Sequence, residues 1–152
     1  MHIVLVEPEI PNNTGNISRT CSVTGSSLHL IRPLGFSTDD KHLKRAGLDY
    51  WQYLDLHYYD SFFELLEKYP AGRFFYCTTK AQHYYHEAEF KKDDFLVFGK
   101  ETAGLAKEIM DLDPASHIRI PMKEGLRSHN LANSVAIILY EALRQQGFEG
   151  LL

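Results

Sequence analysis

Three stretches of this chain carry residue types suited to binding and chemistry more than to packing. The first is Asn13-Thr14-Gly15-Asn16-Ile17-Ser18-Arg19, close behind the apolar run Ile3-Val4-Leu5-Val6. Asparagines and a glycine here suit turn and cap chemistry. They equally suit the opening turn of a helix that offers backbone N–H groups to a phosphate, with Arg19 projecting beside it. The second is Phe98-Gly99-Lys100-Glu101-Thr102-Ala103-Gly104-Leu105, where two glycines flank a carboxylate at a strand-to-helix turn. Glycine lets a ligand approach the backbone closely, and the carboxylate also fits an ordinary helix start. The third runs from Ile118-Arg119-Ile120-Pro121-Met122 through Lys123 and Arg127 to Ser128-His129-Asn130-Leu131-Ala132-Asn133-Ser134. Taken alone, Ser128 or Asn130 reads as a helix N-cap.

Other signatures are missing from the sequence. No G-x-G-x-x-G follows the first strand, and Gly99-Lys100-Glu101-Thr102 lacks the leading glycine and the Lys-Ser/Thr pair of a phosphate loop. The eight histidines contain no H-x-x-x-H pair; His83 and His86 lie three apart without a cysteine or acidic cluster, so no metal site is expected. Neither Cys21 nor Cys77 sits in a C-x-x-C pair, and no G-x-S-x-G elbow supports a serine nucleophile.

The elements that must position these segments follow from the pattern of apolar residues. Strands are expected at Ile3–Val6, Leu28–Ile31, Phe74–Cys77, Phe95–Phe98 and His117–Ile120. Helices are expected at Ile17–Val23 with Gly25 as a left-handed cap, after Ser61 with Phe62, Leu65, Leu66 and Tyr69 at helical spacing, and at Ala103–Leu112. A last helix, Leu131–Gln146, carries the stripe Leu131, Val135, Ile138, Leu139 and Ala142. Between residues 34 and 59 the pattern suggests a short helix at Lys41–Ala46 and a short strand at Tyr50–Leu56. Alternating strands and helices predict an α/β fold, a mainly parallel sheet covered on both faces. Ligands of such sheets bind beyond the carboxyl ends of the strands, which points to the loops after Val6, Cys77, Phe98 and Ile120.

Composition sets the outer bounds. A length of 152 residues fits one domain, 1–152, and 44% hydrophobic with 24% charged residues is a globular mix. A net charge of -4 argues against coating nucleic acid by bulk charge and leaves local basic patches as the route to it. Two cysteines form no disulfide framework, the start MHIVLVEPEIP lacks a basic leader, and no apolar run approaches a membrane span. A soluble, cytoplasmic protein without a membrane partner is the expectation.

In this order, the three segments resemble the three motifs of the SPOUT superfamily of RNA methyltransferases, in its SpoU, ribose-methylating branch. The likeness covers nearly the whole chain. Glu7-Pro8-Glu9-Ile10-Pro11, Arg45-Ala46-Gly47-Leu48-Asp49-Tyr50 and Tyr140-Glu141-Ala142 resemble its minimal single-domain subgroup, which acts on the tRNA wobble nucleotide (C34 or U34). The resemblance implies a deep C-terminal trefoil knot, an exception to unknotted topology, together with S-adenosylmethionine as cofactor, no metal, a homodimer, and the anticodon stem-loop of tRNA as substrate. It implies cofactor contacts at Cys77, Thr78, Gly99, Ile120, Met122 and Ser128, catalytic roles for Arg19, Glu101 and Asn130, and RNA contacts at Asn13 and Asn16. The bases Lys41, Lys44, Arg45, Lys80 and Arg127, with Lys123, are the patches expected to attract RNA.

Departures from the subgroup pattern are Asn12 in a proline place, His129 before Asn130, and a tail ending at Leu152. Arginine stays protonated, with a pKa above ~12, and a neighbouring phosphate favours that state further. Arg19 is therefore read as orienting the hydroxyl and a phosphate, not as a base. The rival readings are the same chemistry at another tRNA or ribosomal RNA ribose, and a non-catalytic RNA-binding or ribosome-assembly factor.

Overall fold

A computed structural model describes residues 1–39, 41 and 53–152. Strand β1 (His2–Val6) is nearly all aliphatic because it is buried on both faces: Ile3, Val4 and Leu5 have no exposed surface. It pairs in parallel with β2 (Ser27–Ile31) on one side and β6 (Phe95–Phe98) on the other. With β3 (Leu56–Tyr59), β4 (Phe74–Cys77), β5 (His83–Tyr84) and β7 (His117–Arg119), these strands form one sheet in the order β3-β2-β1-β6-β4-β7-β5. Every described pairing in it is parallel.

Alternation along the strands divides the core in two. Ile3, Leu5, Leu28, Leu30 and Leu96 face helices α1 (Pro11–Thr24) and α4 (Leu131–Gln145), meeting Ile17, Cys21, Val135, Ile138 and Leu139. Val4, Val6, Ile31 and Val97 face the other way, onto α2 (Phe62–Lys68) and the single turn α3 (Lys107–Met110), through Phe62, Leu65 and Ile109. Of the expected stripe of α4, Val135, Ile138, Leu139 and Ala142 are buried and Leu131 is half-buried. Gly25 closes α1 at φ 66°, and the Ser61 hydroxyl accepts from Glu64 N–H at 3.2 Å at the start of α2.

Several elements differ from their sequence reading. α1 begins at Pro11, so Asn12–Asn16 are helical and not a polar loop. Pro11 is preset for a first helical position, and the turn is supported from outside the helix, as described below. The helix expected over Ala103–Leu112 shrinks to α3, because Gly104 takes φ 69° and the chain doubles back in a Lys100–Gly104 bridge. The third strand lies at Leu56–Tyr59, beyond the expected Tyr50–Leu56, and β5 has no counterpart in the sequence reading. Most of the suggested helix Lys41–Ala46 lies outside the described residues.

Candidate functional site at the carboxyl edge of the sheet

The chain runs from β1 outward to β3, then crosses back to lay β4, β6 and β7 on the other side of β1. A cleft of about 300 Å³ opens beyond the carboxyl ends of β4, β6 and β7. The loops after Cys77, Phe98 and Arg119 and the first half of α4 wall it. Such a volume is at the small end of the ~300–1,000 Å³ typical of ligand pockets. Cys77, Thr78, Gly99, Ile120, Met122 and Ser128 all line it, and so do Lys80, Glu101 and Arg127. Leu105, Ile118, Leu131 and Ile138 make its walls apolar.

Gly99 is fixed by space. A Cβ there would stand 2.1 Å from the Gly104 carbonyl carbon and 2.3 Å from the Leu105 nitrogen, both backbone atoms. Only glycine lets the two limbs of the Lys100–Gly104 turn close on each other. Cys77 lines the cleft as a packing group, since burial pushes its thiol well above the ordinary range and keeps it protonated.

The polar centre of the site ties the three segments together. Ile10, the N-cap of α1, has no side-chain acceptor for the helix start. Glu101, from the turn after β6, holds the segment that leads into the helix: its carboxylate accepts from Glu9 N–H at 2.8 Å, Ile10 N–H at 3.1 Å and Asn13 Nδ2 at 3.0 Å. Asn13 Oδ1 in turn accepts from Asn130 Nδ2 at 2.9 Å, while Asn130 Oδ1 caps α4 through Ala132 N–H at 2.9 Å and Asn133 N–H at 3.3 Å. One chain of hydrogen bonds thus joins both helix starts to the cleft wall.

A second set of bonds answers the first. Glu9 accepts from Thr102 N–H at 3.0 Å and from Thr102 Oγ1 at 2.8 Å, which holds its carboxyl below the usual carboxylate range. Lys100 Nζ reaches Glu7 at 2.7 Å, and this pairing raises the lysine above its ordinary value. Glu7 itself sits at φ 51°, a left-handed conformation that is costly for a side chain other than glycine or asparagine.

These contacts revise several sequence expectations. The carboxylate beside the start of α1 is the chain's own Glu101, which takes the Glu9 and Ile10 N–H groups ahead of the helix. Asn13 is buried, with both ends of its amide engaged within the chain. Glu101 is half-buried at the cleft and bonded to the segment leading into α1, while Asn130 is exposed and caps α4. Arg19 and Asn16 are exposed one turn apart on α1 and do not line the cleft. Lys41 is exposed, while Lys44 and the whole of Arg45–Tyr50 lie outside the described residues. Glu7, Glu9, Lys100 and Thr102 received no role from sequence. The available signal was a helix beginning at Pro11 with isoleucine where Ser, Thr, Asp or Asn would normally cap it.

Comparison with known proteins places this geometry. The model of the SpoU rRNA Methylase family matches residues 1–140. A relative from Yersinia pestis, a tRNA (cytidine(34)-2'-O)-methyltransferase, is 49% identical over 100% of this chain and 98% of its own. A solved structure concerned with 2-OH methylation of C/U34 on tRNA is 45% identical, covers 96% of this chain and 95% of its own, and superposes with a TM-score of 0.92. A SpoU methyltransferase from Streptomyces viridochromogenes in complex with the cofactor AdoMet shares the fold at a TM-score of 0.88 and 24% identity. It covers 96% of this chain and 57% of its own.

Proposed function

This chain belongs to the SpoU rRNA methylase family, and from that premise we propose that it methylates the ribose 2'-hydroxyl of the tRNA wobble nucleotide, C34 or U34, using S-adenosylmethionine. The observation that carries the reading is the joining of all three segments by one series of hydrogen bonds, Glu101 to Asn13 to Asn130, that reaches the cleft through Glu101. A second copy of the chain completes the enzyme in this reading. α1 presents the exposed row Asn12, Asn16, Arg19 and Val23, and α4 presents Tyr140, as surfaces for a homodimer and its RNA. The reading also takes residues 1–152 as one methyltransferase domain working in the cytoplasm. A trefoil knot suits the strand order, in which the late strands β6 and β7 enter between strands laid down earlier.

The residues present fit the cofactor. Apolar walls from Leu105, Ile118 and Ile138 suit an adenine face, and the glycine-only turn at Gly99 lets a ligand reach backbone. Cys77, Thr78, Ile120, Met122 and Ser128 would hold it from the loops after β4 and β7. When bound, the cofactor supplies an electrophilic methyl group on a sulfonium. The protein's task is then alignment of the hydroxyl with that centre, which in well-oriented pairs removes ~7–11 kcal/mol of barrier. Glu101, Asn13 and Asn130 fix α1 against the cleft wall. Arg19 keeps its proton and uses its planar fork to orient the hydroxyl and a neighbouring phosphate, and the hydroxyl proton departs late, to solvent. Lys80 and Arg127 at the cleft supply cations for the RNA backbone.

The test is transfer of labelled methyl from S-adenosylmethionine to tRNA from cells lacking the enzyme, with the modified nucleotide mapped by mass spectrometry. Label on a wobble 2'-oxygen, abolished in Arg19→Ala and strongly reduced in Arg19→Lys, is the expected result. Label on another ribose overturns the address and keeps the chemistry. Near-normal turnover of Arg19→Lys overturns the orienting role, because lysine keeps the charge without the fork.

A further inference from the structure

Beside the cleft, at the open edge of the sheet, stands an aromatic surface that the reading above leaves unused. β5 is the last strand in the sheet order and pairs on one side only, with β7. Its Tyr84 is the ladder partner of Arg119, which lines the cleft. Ladder partners send their side chains to the same face, and neighbouring strands lie ~4.8 Å apart, so Tyr84 stands one strand beyond the cleft wall. Tyr84 is 40% exposed, and its ring lies nearly parallel to that of His86, with centroids 5.7 Å apart and 8° between planes. The backbone beneath is pinned by Tyr84 N–H donating to the Glu87 carboxylate at 2.7 Å.

Cations border this surface. Lys80 is exposed at the cleft mouth, three residues before β5. Arg119 Nε is buried and has no hydrogen-bond partner among the described residues, a donor that a ligand oxygen at the cleft edge would satisfy. An aromatic plane with cations nearby matches the needs of single-stranded nucleic acid, whose bases stack on aromatic rings while basic residues follow the backbone. A metal role for His83 and His86 has no support, since no three His, Cys, Asp or Glu side chains among the described residues are grouped to hold an ion.

We propose that Tyr84, backed by His86, is a stacking subsite for an unpaired base next to the nucleotide being methylated, with Lys80 and Arg119 taking the adjoining phosphates. The proposal rests on the methyltransferase reading above and deepens it. Every base has a π-face, so the subsite selects for an unpaired, splayed nucleotide and not for one base identity. It would thereby favour a loop over a duplex as substrate.

The experiment compares the full-length protein with Tyr84→Ala and Tyr84→Phe, using S-adenosylmethionine and tRNA, and reads kcat, KM for tRNA and cofactor Kd separately. One base–aromatic stack predicts a rise in KM for tRNA of about 5- to 150-fold in Tyr84→Ala. kcat at saturating tRNA and cofactor Kd stay within about twofold in that variant, and Tyr84→Phe, which keeps the ring, behaves as the parent. 2-Aminopurine placed beside the target nucleotide should be quenched by the parent and by Tyr84→Phe, and not by Tyr84→Ala. An unmoved KM in Tyr84→Ala, equal losses in both variants, or a loss of cofactor affinity overturns the subsite while the methyltransferase reading stands. Absence of methyl transfer to any tRNA ribose by the parent protein overturns that reading and the subsite with it.

Discussion

Two polar networks cross this molecule, built from similar parts and held in opposite electrostatic states. At the carboxyl edge of the sheet, Glu7, Glu9 and Glu101 face donors: an ammonium at Glu7, the Thr102 N–H and hydroxyl at Glu9, and two N–H groups and an amide at Glu101. On the α2 face of the sheet, His2 Nδ1 and His29 Nε2 share a hydrogen bond of 3.0 Å, and His29 Nδ1 meets the Tyr59 hydroxyl at 3.1 Å. His29 has no exposed surface, and burial, reinforced by His2, pushes its pKa down to about 3. The edge network is charged and joins loops; the face network is neutral and joins strands. Charge is kept where loops must be held over a cleft and is excluded where the sheet must pack.

This contrast predicts a separation of phenotypes. The largest effect on activity is expected from Gly99→Ala, whose methyl would drive apart the backbone around Gly104, and from Glu101→Ala, which removes the acceptor of the Glu9 and Ile10 N–H groups leading into α1. A shift of catalytic groups by 1 Å can cost about 100-fold in rate, so each should lose at least about that much turnover. Gly99→Ala should in addition lose cofactor binding by calorimetry, while Glu101→Ala keeps most of it. In both, circular dichroism should report a melting temperature within a few degrees of the parent. If either variant melts as early as His29→Ala, the edge network is structural like the other and the contrast collapses.

The next effect is on stability and runs through pH. A histidine whose folded pKa is lowered contributes stability that is complete above its unfolded value, ~6.5, and drains away as pH falls toward the folded value. For His29 the window is therefore pH 6.5 down to about 3, with His2, also lowered by burial, adding in the same direction. Each histidine contributes a slope of about 1.4 kcal/mol per pH unit, so His29 alone should lower stability by about 2 kcal/mol between pH 6.5 and 5. Urea unfolding at several pH values measures it. His29→Leu should flatten the slope whatever its absolute stability; an unchanged slope would assign the acid sensitivity elsewhere.

The same contrast separates what sequence could reveal from what it could not. The strands β1, β2, β4 and β6, the Gly25 and Ser61 caps and the buried stripe of α4 follow from local chemistry, and all lie where the sequence placed them. The carboxyl-edge loops were also legible, because glycines, prolines and asparagines cluster after apolar strands. Glu101 was visible as a carboxylate between glycines, but its work was not: its partners lie 88 to 92 residues away, and no local pattern encodes them. α1 starts ahead of the expected Ile17 because Pro11 is preset for the first helical position and carries Asn12–Asn16 into the helix. β5 was missed because two exposed residues carry no alternation to read.

The smallest predicted effect tests whether the edge network stores strain. Glu7 adopts φ 51° while its carboxylate meets Lys100 at 2.7 Å. The left-handed conformation costs roughly 1–2 kcal/mol in a residue with a Cβ, and a half-exposed ion pair returns at most about 1 kcal/mol. Stability alone therefore gives no reason for glutamate here. Glu7→Gly should leave stability within about 1 kcal/mol of the parent, because the relieved strain offsets the lost pair. It should nevertheless slow methyl transfer several-fold, since Lys100 loses its tether beside Gly99. Glu7→Asn, which tolerates the same backbone without the charge, separates the causes. Slow transfer in both variants assigns the effect to the ion pair, and slow transfer in Glu7→Gly alone assigns it to backbone freedom.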